Sequence, residues 1–121
     1  MSVLDRAPVV FDARAVRSLT GHADDRAFAR ILVGRFRQLL PLRVRRIARA
    51  VQMADLDDAM DAVLSLKASS STIGAVELHE IAVRVEGHLK GKDVGAAVVA
   101  ASELPAAEQR ADRALTAFLG G

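Results

Sequence analysis

Few side chains in this sequence could serve as nucleophiles, general bases or metal ligands. It contains no cysteine, which excludes thiolate chemistry and a disulfide framework. The three histidines, His22, His79 and His88, follow no His-x3-His or His/Asp spacing typical of a metal site. The hydroxyl residues 69–72 have no neighbouring base in the sequence. We therefore predict no metal, no cofactor and no catalytic residue.

Four aspartates lie close together, at Asp55, Asp57, Asp58 and Asp61. Such a group could bind a cation or supply paired carboxylates for acid–base catalysis. Its position at the start of a helical pattern has a simpler explanation, because aspartate caps a helix and the helix dipole favours negative charge there. We interpret the cluster as a helix start and keep the cation site as an alternative.

The basic residues are concentrated in one segment, just before these aspartates. Its arginines are Arg26, Arg30, Arg35, Arg37, Arg43, Arg45, Arg46 and Arg49. A basic segment can bind nucleic acid, but this one lacks the interleaved aromatic pattern that supports base stacking. We interpret it as a solvated helix face and predict no nucleic-acid partner.

The composition favours one helical domain over residues 1–121. About half of the residues are apolar (51%) and 26% are charged, and the strong helix formers Ala, Leu and Arg are abundant. The longest apolar run, residues 94–101, is too short to span a bilayer. The N-terminus lacks a signal-peptide core, so we expect a cytoplasmic protein without a membrane partner.

Apolar residues at three- and four-residue steps predict five helices. The expected spans are 13–19, 24–51, 55–73, 76–89 and 93–118. Pro41 should kink the second helix, and Gly74 should end the third. Gly91 should end the fourth helix in a left-handed conformation, and Pro105 should bend the fifth. Short connections favour antiparallel neighbours, so we predict an all-α, up-and-down four-helix bundle with a short extra N-terminal helix.

The third predicted helix has an inward and an outward face. Its expected core positions are Leu56, Ala59, Val63, Leu66, Ser70 and Ile73. Leu64 falls about 130° from the centre of that stripe at 100° per residue. Met60 and Ala68 lie one turn on either side of Leu64. We expect these three side chains to form an apolar strip outside the bundle, flanked by Lys67.

The segment 64–75, "LSLKASSSTIGA", resembles the signature of histidine-containing phosphotransfer (HPt) domains. That signature is His-x-Leu-Lys-Gly, four variable small residues, an apolar residue and then Gly-Ala. The matching residues are Leu66, Lys67, Ile73, Gly74 and Ala75. The resemblance extends along nearly the whole chain, through "FDARAVRSL", the interior Pro41 and Glu86 at a commonly acidic position.

Two positions depart from the signature, because Leu64 replaces the phosphoaccepting histidine and Ala68 replaces the glycine. The resemblance implies that this histidine takes a phosphoryl group from a receiver-domain aspartate, and that Lys67 can steady the phosphate charge. Leucine has no nucleophilic atom, and the added methyl of Ala68 crowds the receiver's approach. The resemblance therefore implies an HPt-like signalling domain of a two-component phosphorelay that does not carry phosphate and is not an enzyme.

The resemblance implies a response-regulator receiver domain or a histidine kinase as the partner. The expected binding residues are Met60, Leu64, Lys67, Ala68 and Ser71, of which Lys67 and Ala68 are remnants of the phosphate site. Arginines of the second helix would steer the receiver's acidic pocket toward this face. Three alternatives remain: a scaffold or homodimer formed through the Leu64 face, a decayed site without a present role, and a transferase that uses His79 instead.

Overall fold

The computed structural model describes residues 9–20 and 26–120, and every regular element within these ranges is an α-helix. The helices are α1 (Ala13–Thr20), α2 (Arg26–Gln52), α3 (Leu56–Ile73), α4 (Val76–Lys90), α5 (Val94–Ala101) and α6 (Leu104–Gly120). The predicted all-α class is confirmed. His22, Asp24 and Asp25, for which the sequence predicts a loop and a helix start, lie outside the described residues.

The core is formed by inward residues of all six helices. The largest fully buried side chains are Leu40, Ile47, Leu66, Leu78, Leu104 and Leu115. The helix α3 contacts α2, α4 and α1, while α5 and α6 both contact α2 and α4. These contacts decide which side chains of α3 remain outside. Within the described ranges, no helix is both long enough and apolar enough to cross a membrane.

Pro41 lies inside α2, and the helix continues past it as predicted. The proline removes one backbone hydrogen bond, which in an exposed helix costs about 3 kcal/mol. Leu40 and Val44, on either side of it, are buried in the core. Each buried aliphatic side chain contributes about 1.5–3 kcal/mol, so packing on both sides of the proline offsets the missing bond.

The predicted fifth helix is wrong, because the chain makes a turn at Ser102 and Glu103 and forms two helices. Pro105 is the second residue of α6 and does not bend a longer helix. Proline is tolerated in a first helical turn because the N–H groups there have no acceptor within the helix.

The predicted left-handed conformation of Gly91 is also wrong. Gly91 has a φ of −80°, and Lys92 instead has a φ of 56°. The helix α4 extends to Lys90, and the N–H of Asp93 donates to the carbonyl of His88 at 2.9 Å. This closing bond shifts the left-handed position one residue past the glycine.

The end of α3 does require a glycine, as the sequence predicts. Gly74 has a φ of 87°, in the left-handed region. Its carbonyl accepts a hydrogen bond of 2.8 Å from the N–H of Asp12. A Cβ atom at Gly74 would lie 2.3 Å from the carbonyl oxygen of Asp12 and 2.8 Å from the Cβ of Ala15. Glycine therefore allows both the turn and the close approach of α1.

Candidate functional site

The helix α3 has one face toward the core and one toward solvent, and these two faces set the geometry of the candidate site. Leu66 and Ser70 are fully buried, whereas Leu64 exposes 41% of its surface. Ala68 and Ser71 are exposed on the same helix. The position that the HPt resemblance assigns to the phosphoacceptor therefore faces solvent, as helix geometry predicts.

Met60 differs from its predicted position outside the bundle. It is half-buried and packs against the core. Its flexible, unbranched side chain can fold toward the core from the edge of a helix, which a branched side chain does less easily. The outward group is therefore smaller than predicted. We call Leu64, Lys67, Ala68 and Ser71 the α3 surface.

Lys67 is held by an ion pair that crosses from α3 to α4. Its Nζ lies 2.8 Å from Oε1 of Glu86, whose Oε2 lies 3.1 Å from Nζ of Lys90. Glu86 is buried, while Lys67 keeps 37% of its side chain exposed. Hydrogen bonds from Lys67 first, and then from Lys90, lower the pKa of the Glu86 carboxyl below its usual value. The ammonium group of Lys67 is thus already matched by a carboxylate.

His79 is half-buried, whereas its angular position predicts an exposed side chain. Its Nδ1 lies 3.1 Å from the carbonyl oxygen of Lys67. A carbonyl oxygen only accepts hydrogen bonds, so Nδ1 carries the hydrogen in this contact. This contact draws the ring against α3 and explains its partial burial.

Three of the four hydroxyl groups that follow Lys67 donate to carbonyl oxygens of their own helix. Ser69, Ser70 and Thr72 each donate to the carbonyl oxygen four residues earlier, at 2.8, 2.6 and 3.0 Å. Such bonds are a common way for Ser and Thr to satisfy their hydroxyls in a helix interior. Because these hydroxyls donate to carbonyls and not to a base, they are not activated as nucleophiles.

Local structure explains the aspartates at the start of α3. Asp55 caps the helix by accepting the N–H of Asp58 at 3.1 Å. Asp58 pairs with Arg46 of α2 at 2.6 Å, and Asp61 lies 3.9 Å from the same guanidinium. Within the described part of the chain, no group of three or more His, Cys, Asp or Glu residues could hold a metal ion.

A hollow of about 400 Å³ lies elsewhere, between α2 and α6. Its lining residues are Arg37, Leu40, Pro41, Glu108, Gln109, Asp112 and Arg113. Arg37 and Asp112 form an ion pair of 2.8 Å at this place. The hollow contains no residue of α3 and no histidine, so it is separate from the candidate site.

Sequence reasoning missed the pairing of Lys67 with Glu86. A usable signal was present, because Glu86 follows Val85 and lies three residues before Leu89, both on the predicted core face of α4. A carboxylate beside a core stripe is costly to bury unless it is paired, so it points to a cation on a neighbouring helix. The sequence did not indicate which cation that was.

Comparison of the chain with protein-family models, with curated proteins and with solved structures gives no match. Inference about function therefore depends on the residues of the chain itself. The α3 surface combines an exposed aliphatic side chain, a lysine matched by Glu86 and a small exposed alanine. These groups can make contacts with another molecule, and the side chains of Leu64 and Ala68 have no nucleophilic atom that could accept a phosphoryl group.

Proposed function

We propose that this chain is an HPt-like domain that binds the receiver domain of a two-component phosphorelay without accepting its phosphoryl group. The observation that carries the proposal is the outward Leu64, 41% exposed at the position where the HPt signature has histidine. A histidine kinase is the other partner that the resemblance implies. A cytoplasmic location belongs to the same proposal.

The proposal includes the finer description of the fold as an antiparallel four-helix bundle. In it, α2, α3, α4 and the α5–α6 pair form the bundle, and α1 is the extra helix in front. Two observations support it. The connections 53–55, 74–75 and 91–93 are only two or three residues long, which favours antiparallel neighbours. The α5–α6 pair contacts both α2 and α4.

The α3 surface offers contacts for binding that do not depend on phosphotransfer. In an HPt site the lysine would steady the charge of a phosphate on the histidine. Here its Nζ is 2.8 Å from the buried Glu86 carboxylate, so a phosphate would have to compete with that carboxylate. Leu64 and Ala68 offer apolar contacts that need no phosphate, and a receiver can bind through these alone.

Two assays on the purified chain test the proposal. After incubation with a phosphorylated receiver, we expect no acid-labile phosphate on the chain. In titration calorimetry we expect receiver binding that Leu64→Asp weakens at least about tenfold, because it places a charge in an apolar contact. Val99→Asp is the matched control, since Val99 of α5 is also exposed, at 68%. Phosphate on the native chain, or equal losses in both variants, would refute the proposal.

A gain-of-function variant tests the resemblance itself. Leu64→His combined with Ala68→Gly restores the two residues in which the chain departs from the HPt signature. We expect this double variant to accept phosphate from the receiver that the native chain binds. A single Leu64→His variant measures separately how much the methyl of Ala68 hinders the approach.

The exposed pair Leu64 and Ala68 also fits a self-association surface, which is the alternative function. Sedimentation equilibrium, together with the receiver-binding assay, distinguishes self-association from receiver binding. Concentration-dependent dimers that Leu64→Asp abolishes, without any receiver binding, would establish the scaffold alternative. A monomer that binds receivers would eliminate it.

A further inference from the structure

The outer side of α2 carries large apolar side chains that are aligned along the helix. Ile31, Leu42 and Met53 expose 62, 57 and 67% of their surfaces. Met53 directly follows α2 and keeps its helical direction, because its N–H donates to the carbonyl of Arg49 at 3.0 Å. Eleven residues separate each from the next, close to three full turns. The three therefore follow one line about 33 Å long, drifting by only about 20° per step.

Arginines lie along the same line. Arg35, Arg45 and Arg49 are exposed, and no ion pair involves them within residues 9–20 and 26–120. The helix α2 contains no aspartate or glutamate. In contrast, Arg37 and Arg46 pair with aspartates of α6 and α3. The outer line of α2 therefore carries three positive charges that the neighbouring helices do not neutralise.

We propose that this line docks an acidic, amphipathic helix of another protein. We call the surface the α2 surface: Ile31, Arg35, Leu42, Arg45, Arg49 and Met53. The proposal goes beyond receiver binding through the α3 surface. The HPt resemblance implies only that arginines of the second helix steer a receiver, whereas here Arg35, Arg45 and Arg49 contact the partner directly. Unpaired guanidinium groups bind carboxylates through two parallel hydrogen bonds. We therefore expect aspartate or glutamate side chains on the partner helix.

The spacing of the aliphatic residues favours a helix as the partner. Three anchors in a straight line of about 33 Å correspond to about 22 residues of a partner helix, which repeats its own apolar residues every three or four positions. A second copy of this chain is disfavoured at this surface. Packing α2 against α2 would bring Arg35, Arg45 and Arg49 close to their own copies with no acid between them.

Nucleic acid and lipid fit the α2 surface less well. Nucleic-acid surfaces that contact single strands use several aromatic side chains for stacking. The helix α2 exposes one, Phe28, and the anchors Ile31, Leu42 and Met53 are not aromatic. A helix that lies on a membrane keeps its basic residues away from the inserted apolar face. Here Arg45 and Arg49 lie on the same line as Leu42.

The test uses the full chain and a fluorescent peptide of about 25 residues. The peptide has leucines at three- and four-residue steps on one face and glutamates beside them. Arg45→Gln/Arg49→Gln should weaken binding about tenfold, because each exposed ion pair contributes up to about 1 kcal/mol. Lys92→Gln/Arg113→Gln is the matched control: both residues are exposed, neither belongs to α2, and the net charge changes equally. It should weaken binding less than about twofold.

The apolar anchors are tested separately from charge. Leu42→Ser, and a peptide with alanine in place of leucine, should each weaken binding about tenfold. Leu64→Asp should leave peptide binding unchanged, so this proposal and receiver binding can fail independently. The proposal is overturned if the peptide does not bind or if both charge variants weaken it equally. The proposal is also overturned if the chain binds a DNA duplex, or vesicles containing phosphatidylglycerol, more tightly than the peptide and if the α2-surface variants weaken that binding.

Discussion

The segment 64–75 has an inward side that packs against the rest of the fold and an outward side that faces solvent. On the inward side, Leu66 is fully buried and Gly74 closes against Asp12 of the chain before α1. On the outward side, Leu64 and Ala68 are exposed. The inward spacing is thus required by the packing of this fold whether or not any reaction occurs. A motif can keep its inward half for stability while its outward half has no reactive group.

Lys67 and Glu86 connect the two sides. Lys67 belongs to the α3 surface, yet its Nζ reaches a carboxylate that is buried between the helices. In an HPt domain that has its histidine, such a lysine would stabilise the negative charge of the phosphate on that histidine. In this chain the carboxylate alone is a sufficient reason for its position.

The strongest test of the comparison replaces two leucines that are two residues apart. Leu66→Ala should lower the free energy of unfolding by about 2–5 kcal/mol, because it leaves a cavity in the core. Leu64→Ala should lower it by less than about 1 kcal/mol, since that side chain is partly solvated already. Urea denaturation measures both. Similar losses would mean that Leu64 is also a core residue.

The next largest loss in the free energy of unfolding is expected for a substitution at the end of α3. Gly74→Ala should cost about 2–4 kcal/mol, from the left-handed conformation and from contact with Asp12. Ala68→Gly, on the outward side, should cost about 1 kcal/mol through helix propensity alone. Hydrogen exchange should show the loss at Gly74 as faster exchange in α1. Unchanged protection of α1 would contradict the packing described for that glycine.

The glycine at the end of α4, Gly91, differs from Gly74 because it does not adopt the left-handed conformation. Lys92→Gly should raise the free energy of unfolding by about 1 kcal/mol, because it relieves a left-handed non-glycine residue. Gly91→Ala should be tolerated, since its φ is −80° and an added Cβ would meet only ordinary contacts from 3.6 Å. Thermal unfolding compares the variants with Gly74→Ala. A large loss in Gly91→Ala would restore the sequence prediction.

The smallest expected change in the free energy of unfolding comes from the ion pairs of Glu86, and it depends on pH. Because the pKa of Glu86 is lowered in the folded chain, its ion pairs stabilise the fold above the unfolded carboxyl pKa, about 4.3. That stabilisation is lost as the pH falls through the lower folded value. The stability difference between the native chain and Glu86→Gln should therefore be largest near neutral pH and shrink in acid. A difference independent of pH, in urea titrations at several pH values, would exclude ionised Glu86 as its source.

Much of the helical organisation could be predicted because it depends on residues close together in the chain. The cap at Asp55, the glycine at the end of α3 and the continuation past Pro41 all follow local rules. The outward direction of Leu64 follows from the 100° step of the helix. The break at residues 102–103 escaped prediction because its apolar pattern remains compatible with one bent helix.

The helical class, most helix ends and the lack of a nucleophile at position 64 could all be established from the order of the amino acids alone. Three contacts became known from the positions of the helices in space: Met60 packs against the core, His79 contacts the Lys67 carbonyl and Glu86 binds the Lys67 ammonium. Helix ends depend on backbone groups within one turn, which the sequence specifies directly. These side-chain contacts depend on how helices are positioned against each other, which the sum of all core packing fixes.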